Sequence, residues 1–88
     1  MANEKKGKIL KFVPPVTDEE TRRADLAVLK GVYKTLAERG EDPVPSIVGY
    51  LLTEDPTYIT PGEGARIAIG KLNRDRVLYA MVQDYLKD

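Results

Sequence analysis

Prolines set the limits on how this chain folds. Pro14-Pro15, Pro43, Pro45, Pro56 and Pro61 interrupt a sequence of only 88 residues. A proline inside a helix removes a backbone hydrogen bond and clashes with the preceding turn, so it is tolerated only near a helix start. The residue before it is steered out of the α region. Between these breaks apolar residues recur at three- and four-residue spacing, the mark of short amphipathic helices. No segment alternates clearly as a strand does, although Ile9 to Val13 is the one place where a short strand could form. The expected fold is all-α: a compact bundle of about four short helices, residues 17–88, behind a basic N-terminal arm, residues 1–16. A chain this short sits near the lower limit of independent stability and commonly gains core by dimerising, so a homodimer is expected.

Each helix has its own start and stop signals. Thr17-Asp18-Glu19-Glu20 reads as a capping box, with Thr17 as the cap and Glu20 closing it. Gly40 reads as the stop. Leu26, Leu29, Val32, Tyr33 and Leu36 share one face of that helix, and Val28 widens it. The second helix, about Val44 to Thr53, carries the stripe Ile47, Val48, Leu51 and Leu52, with Gly49 open to the close approach of another backbone. Asp55-Pro56 ends it and leads to Tyr58-Ile59, expected on the surface. A third helix is expected from Thr60, with Thr60-Pro61-Gly62-Glu63 as its capping box and Ala65, Ala68, Ile69 and Leu72 as its apolar face. Asn73 caps a last helix, Arg74 to Leu86. Its stripe of Val77, Leu78, Met81, Val82, Tyr85 and Leu86 is broad enough for an intrachain core and a dimer seam together.

The arm divides into Lys5, Lys6, Lys8 and Lys11, faced only by Glu4, and an apolar cluster of Ile9, Leu10, Phe12 and Val13. Its apolar part either docks on the core or is presented to a partner or a kinase.

Composition removes several kinds of chemistry. There is no histidine and no cysteine, so the commonest general base, the commonest metal ligand and the thiolate are all missing. No enzyme activity, metal or cofactor is expected. Ser46, the sole serine, reads as a hydrogen bonder near a helix start, and Asp55 as a turn residue before proline rather than a cation ligand. Fourteen basic residues balance fourteen acidic ones, which disfavours nucleic acid as a partner. Even so, Arg66, Lys71, Arg74 and Arg76 lie within eleven residues of one another. They suit a patch for phosphates or acidic side chains, and a helix-turn-helix-like nucleic-acid binder is the alternative reading. No run is long and apolar enough to cross a membrane, and the polar, lysine-rich start lacks a signal peptide's apolar segment, so the cytoplasm is the expected location. Of five tyrosines, Tyr50 and Tyr58 are those expected at an interface.

One stretch is more specific than any of this. Val32 to Thr60 reads VYKTLAERGEDPVPSIVGYLLTEDPTYIT, followed by Ala65-Arg66, Ile69, Lys71-Leu72, Arg74-Asp75 and Tyr85-Leu86-Lys87. This pattern resembles the IreB/ReoM family of small bacterial regulatory proteins, as a divergent member. The resemblance implies a cytoplasmic, all-helical homodimer that is not an enzyme. It also implies a membrane Ser/Thr kinase that phosphorylates a threonine in the arm. Phosphorylation would switch off control of peptidoglycan synthesis, exerted through Clp-dependent degradation of an early cell-wall enzyme. Arg66, Lys71 and Arg74 are then the expected partner contacts, with Tyr58 nearby. The chain departs from the family in two places. Its arm has no serine or threonine, so Thr17 and Thr21 are the nearest candidates for phosphorylation. Pro61, Gly62 and Gly70 stand where the family usually carries basic residues.

Overall fold

Asp18 caps the first helix of the protein, whose computed structural model describes residues 18–87. Its carboxylate accepts the Thr21 amide at 2.7 Å, and Glu19 and Glu20 follow in the first turn, where the helix dipole favours negative charge. The capping box centred on Thr17 is therefore displaced by one residue. A carboxylate is at least as good a cap as a hydroxyl, and Thr17 itself lies outside the described residues. So do the arm and the strand segment considered within it.

Helix α1 (Glu19–Glu38) ends as its sequence requires. Gly40, at φ 77°, donates to the Ala37 carbonyl at 3.0 Å, and Glu41 donates to Leu36, also at 3.0 Å. This pair of bonds is a Schellman stop, which needs a left-handed residue that glycine supplies without strain. Helix α2 (Pro43–Thr53) starts with Pro43 at a position where the missing amide does no harm, and the Ser46 hydroxyl bonds back to the Asp42 carbonyl. A short 3-10 turn, Pro56–Tyr58, follows. Helix α3 (Ala65–Gly70) and helix α4 (Arg74–Leu86) complete the chain. Asn73 caps α4 by accepting the Arg76 amide at 3.1 Å, as expected. The described residues are thus all-α, with four α-helices and no strand.

The third helix begins later than its sequence suggests. Thr60 accepts the Gly62 amide rather than closing a capping box. Glu63, at φ 54°, and Gly64, at φ 72°, are both left-handed and break the helix that Thr60 would have opened. A separate 3-10 turn, Gly62–Gly64, stands there instead, and α3 is left with six residues.

Helix α1 is the spine, in contact with each of the other three α-helices. Val32 and Leu36 of α1, Tyr50 and Leu51 of α2, Ile59 of the connection that follows it, Ala65 and Ile69 of α3, and Val77 of α4 form the buried core. Val28, Leu29, Ile47, Ala68 and Leu72 pack around it. Two of these placements correct the sequence reading. Ile59, expected outside, is fully buried. Tyr50, expected at an interface, is buried as well. In exchange, Leu26, Tyr33, Val48 and Leu52 face outward. The cause is angular: α2 meets α1 through Ile47, Tyr50 and Leu51, which turns Val44, Val48 and Leu52, spaced four residues apart, to the far side.

Helix α4 buries only Val77. Polar clamps hold it to α1 in addition. Arg76 forks onto Asp25, with Nε at 2.7 Å and Nη2 at 2.8 Å from its two oxygens. Arg22 donates to Gln83 at 3.0 Å and Asp84 at 3.1 Å. The Arg76 pair is largely enclosed, and the hydrogen bonds that Arg76 donates to Asp25 hold its guanidinium still more firmly in its charged form. Leu78, Met81, Val82, Tyr85 and Leu86 are exposed in the single chain.

Full burial of Ile59 in a turn makes it a sensitive probe of the core. Ile59→Ala is expected to cost about 2–5 kcal/mol in urea denaturation, the range for truncating an enclosed aliphatic side chain. A loss below about 1 kcal/mol would place Ile59 outside the core.

Candidate functional site

The connection from α2 to α3 is the least regular part of the described chain and the most heavily tied down. Glu54 closes α2 in a left-handed conformation, φ 63°, and its amide bonds to Tyr50 at 2.6 Å. Asp55 then turns the chain. One carboxylate oxygen accepts the Thr57 amide at 3.0 Å and the Thr57 hydroxyl at 2.7 Å. These bonds, the amide first, hold the Asp55 carboxyl below its ordinary range, with the Arg66 charge a further contributor. The role of Asp55 as a turn residue is therefore seen directly. The Tyr58 ring packs against Gly49, where any side chain would collide with it. The close approach expected at Gly49 is thus made by an aromatic ring and not by a second backbone. Tyr58 itself remains about 45% exposed.

Two arginines reach this turn from the other side. Arg66, in the first turn of α3, donates from Nε to the carbonyls of Pro56, at 2.9 Å, and Ile59, at 2.8 Å. Arg74, the first residue of α4, donates from Nη1 to the Leu51 carbonyl at 2.7 Å and from Nη2 to Glu54 at 3.4 Å. Leu51 lies in the last turn of α2, where carbonyls lack helical partners and the dipole favours a cation. Arg74 therefore acts as a C-terminal cap, and its ion pair is with Glu54, not with its neighbour Asp75. Arg66 and Arg74 thus converge on one turn, with Tyr58 inside it. Lys71 is the C-terminal cap residue of α3 and is exposed. Arg76 points elsewhere, onto Asp25 of α1, so the four basic residues do not form a single patch.

Among the described residues, the Nη groups of Arg66 and the ammonium of Lys71 meet no acceptor. They are the donors left for an outside ligand. Among the same residues, no group of three or more acidic, histidine or cysteine side chains is placed to hold a metal ion. No helix there is long and apolar enough to cross a membrane. Of the phosphorylation candidates, Thr21 sits half-buried in the first turn of α1, its amide bonded to Asp18.

The sequence reading named Arg66 and Arg74 as contact residues and missed their backbone acceptors. Glu54 was missed as an ionic partner, because a left-handed glutamate at a helix end has no local sequence signal. The spacing of Leu51, Arg66 and Arg74 was visible, but carbonyls are the same in every residue and leave no trace in a sequence.

Arg74→Gln is expected to lower stability by about 1–2 kcal/mol, the scale of a charge-assisted hydrogen bond together with a helix cap, without changing the helical circular-dichroism spectrum. Asp55 also predicts a pH effect. Because its carboxyl titrates lower in the folded chain, it stabilises above the unfolded pKa, and that contribution is lost as pH falls through the folded value. Asp55→Asn keeps the turn but cannot titrate there. It should flatten the stability loss below about pH 4, and an unchanged acid limb would contradict the assignment.

The bonded unit from Leu51 to Arg74 spans the most specific part of the sequence pattern. Over residues 9–87 the chain matches the family model described as IreB regulatory phosphoprotein. The match extends over nearly the whole chain, and this protein belongs to the IreB family.

Proposed function

We propose that the protein is a non-enzymatic regulator that acts by protein–protein contact, through a face built from Tyr58, Arg66, Lys71 and Arg74. The observation that carries this reading is the division of labour within the arginines. The Nε of Arg66 and the Nη1 of Arg74 hold backbone, while the Arg66 Nη groups and the Lys71 ammonium keep donors free for a carboxylate or phosphate. Tyr58, braced on Gly49, adds an amphipathic ring to the same face.

Membership of a regulatory phosphoprotein family supports the wider reading. The partners we propose are a Ser/Thr kinase acting on Thr17 or Thr21, and a Clp-system component or a cell-wall enzyme, all met in the cytoplasm. A phosphate brings a charge of roughly −2. At Thr17 it would stand directly before the Asp18 cap, and at Thr21 beside Arg22. Either position lies at the start of α1, so the phosphate would act on how the arm leaves the bundle. The homodimer we propose forms through the outer stripe of α4. Leu78, Val82 and Tyr85 recur there at i, i+4 and i+7, next to Leu86, and all are exposed in the single chain.

Because Arg66 and Arg74 also hold backbone, the cleaner test changes Lys71 and Tyr58. Lys71→Glu with Tyr58→Ala should keep the circular-dichroism spectrum and lose a Clp component or cell-wall enzyme captured from cytosol by the wild type. Undiminished capture would show that the face is only solvated surface. Val82→Asp should sediment as a folded monomer, and a dimer that survived it would move the seam away from α4.

A further inference from the structure

The face of α4 that looks toward α1 is distinct from its outer stripe. Val77, Ala80, Met81 and Asp84 recur there at i, i+3, i+4 and i+7. With Arg22, Leu26 and Leu29 of α1 they border an open groove of about 360 Å³. Its floor is apolar, yet Leu26 is 49% exposed and Met81 41%. Among the described residues nothing covers these side chains. The Arg76–Asp25 and Arg22–Asp84 pairs hold the two helices together, so the groove is fixed in width before anything enters it.

We propose that the apolar cluster of this chain's own N-terminal arm, Ile9, Leu10, Phe12 and Val13, seats in the α1–α4 groove. This goes beyond the regulatory reading and does not depend on it. Three observations support the assignment. First, the groove opens where the arm is rooted: Glu19, one residue after the Asp18 cap, lines its mouth. Second, the reach is right. From Glu19 to Leu29 is about 15 Å along α1 at helical rise. From Asp18 back to Val13 is roughly 16 Å of extended chain, so the arm can double back and lay its cluster over Leu26, Leu29 and Met81. Pro14-Pro15 between them favours the extended form that such a reach needs. Third, the family match begins at Ile9, the first residue of the cluster, and leaves out residues 1–8. The cluster thus falls within the sequence shared with the family, and residues 1–8 fall outside it. Charges at the mouth are mixed, with Glu19 and Asp84 against Arg22 and Lys87, so apolar matching sets the fit.

The chain has no cysteine, so a nitroxide can be attached at one chosen site. In the full chain carrying Lys11→Cys, the label should broaden the amide signals of Leu26, Leu29 and Met81. Leu10→Asp with Phe12→Asp in the same labelled chain should restore those signals while the core signals of Val32 and Ile69 stay in place. In a mixture where only unlabelled-isotope copies carry the nitroxide, the groove signals of the observed copies should remain sharp. Broadening in that mixture would mean that the arm crosses to a second copy, and no broadening in either sample would mean that the arm does not use the groove. Each of these two results overturns the proposal.

Discussion

Two guanidinium groups hold the irregular connection between α2 and α3 in shape. Residues 54–64 run from α2 to α3 through two 3-10 turns and two left-handed non-glycine residues, and their own backbone bonds close only short local turns, such as Tyr58 to Asp55 and Ile59 to Pro56. Arg66 bonds the carbonyls of Pro56 and Ile59, and Arg74 bonds that of Leu51. With those bonds in place Ile59 is driven fully into the core and Tyr58 is turned out over Gly49. A charge-assisted hydrogen bond to a carbonyl is stronger than a neutral one, which suits a segment that has little regular structure to stabilise it. The same two residues therefore position the core and shape the surface beside it.

The bundle is asymmetric in how it is held. Around the C-terminal half of α1 the contacts are apolar: Val32 and Leu36 meet α2 and α3, with Ile59 and Ile69 enclosed. Toward its N-terminus the contacts with α4 become polar, through Asp25 and Arg22. A forked, largely enclosed ion pair fixes geometry more than it adds stability. Among the described residues the α4 end therefore keeps two uncovered apolar surfaces, the groove beside α1 and the outer stripe. They lie on different sides of one helix, so one chain segment and one second copy can occupy them without competing.

Much of this was legible in the sequence, and the losses have physical causes. The Pro43 and Pro56 breaks, the Gly40 stop and the Asn73 cap are local signals, and each appears where its chemistry requires. Helix α3 was misjudged because Thr60-Pro61-Gly62-Glu63 has the letters of a capping box, while Glu63 adopts a left-handed backbone that no local pattern announces. The apolar face of α2 was drawn too wide. Periodicity identifies which residues share a side but not which part of that side meets a neighbour, and Val48 and Leu52 fell on the uncovered part. At the candidate site, the residues Tyr58, Arg66, Lys71 and Arg74 could be named. What Arg66 and Arg74 bond to could not, since their acceptors are backbone carbonyls remote in sequence. Arg76 shows the same limit: its partner Asp25 is 51 residues away.

The central claim is that the Arg66 guanidinium is committed at one edge to backbone and free at the other. Solvent exchange of the arginine Nε–H protons, followed by nuclear magnetic resonance, tests it most directly. The Arg66 Nε–H should exchange far more slowly than that of Arg23, which is exposed on α1, and its signal should move when Ile59 is truncated. An Arg66 Nε–H that exchanged as fast as that of Arg23 would contradict the account, because the guanidinium would then be free in solution and the turn would be held by something else.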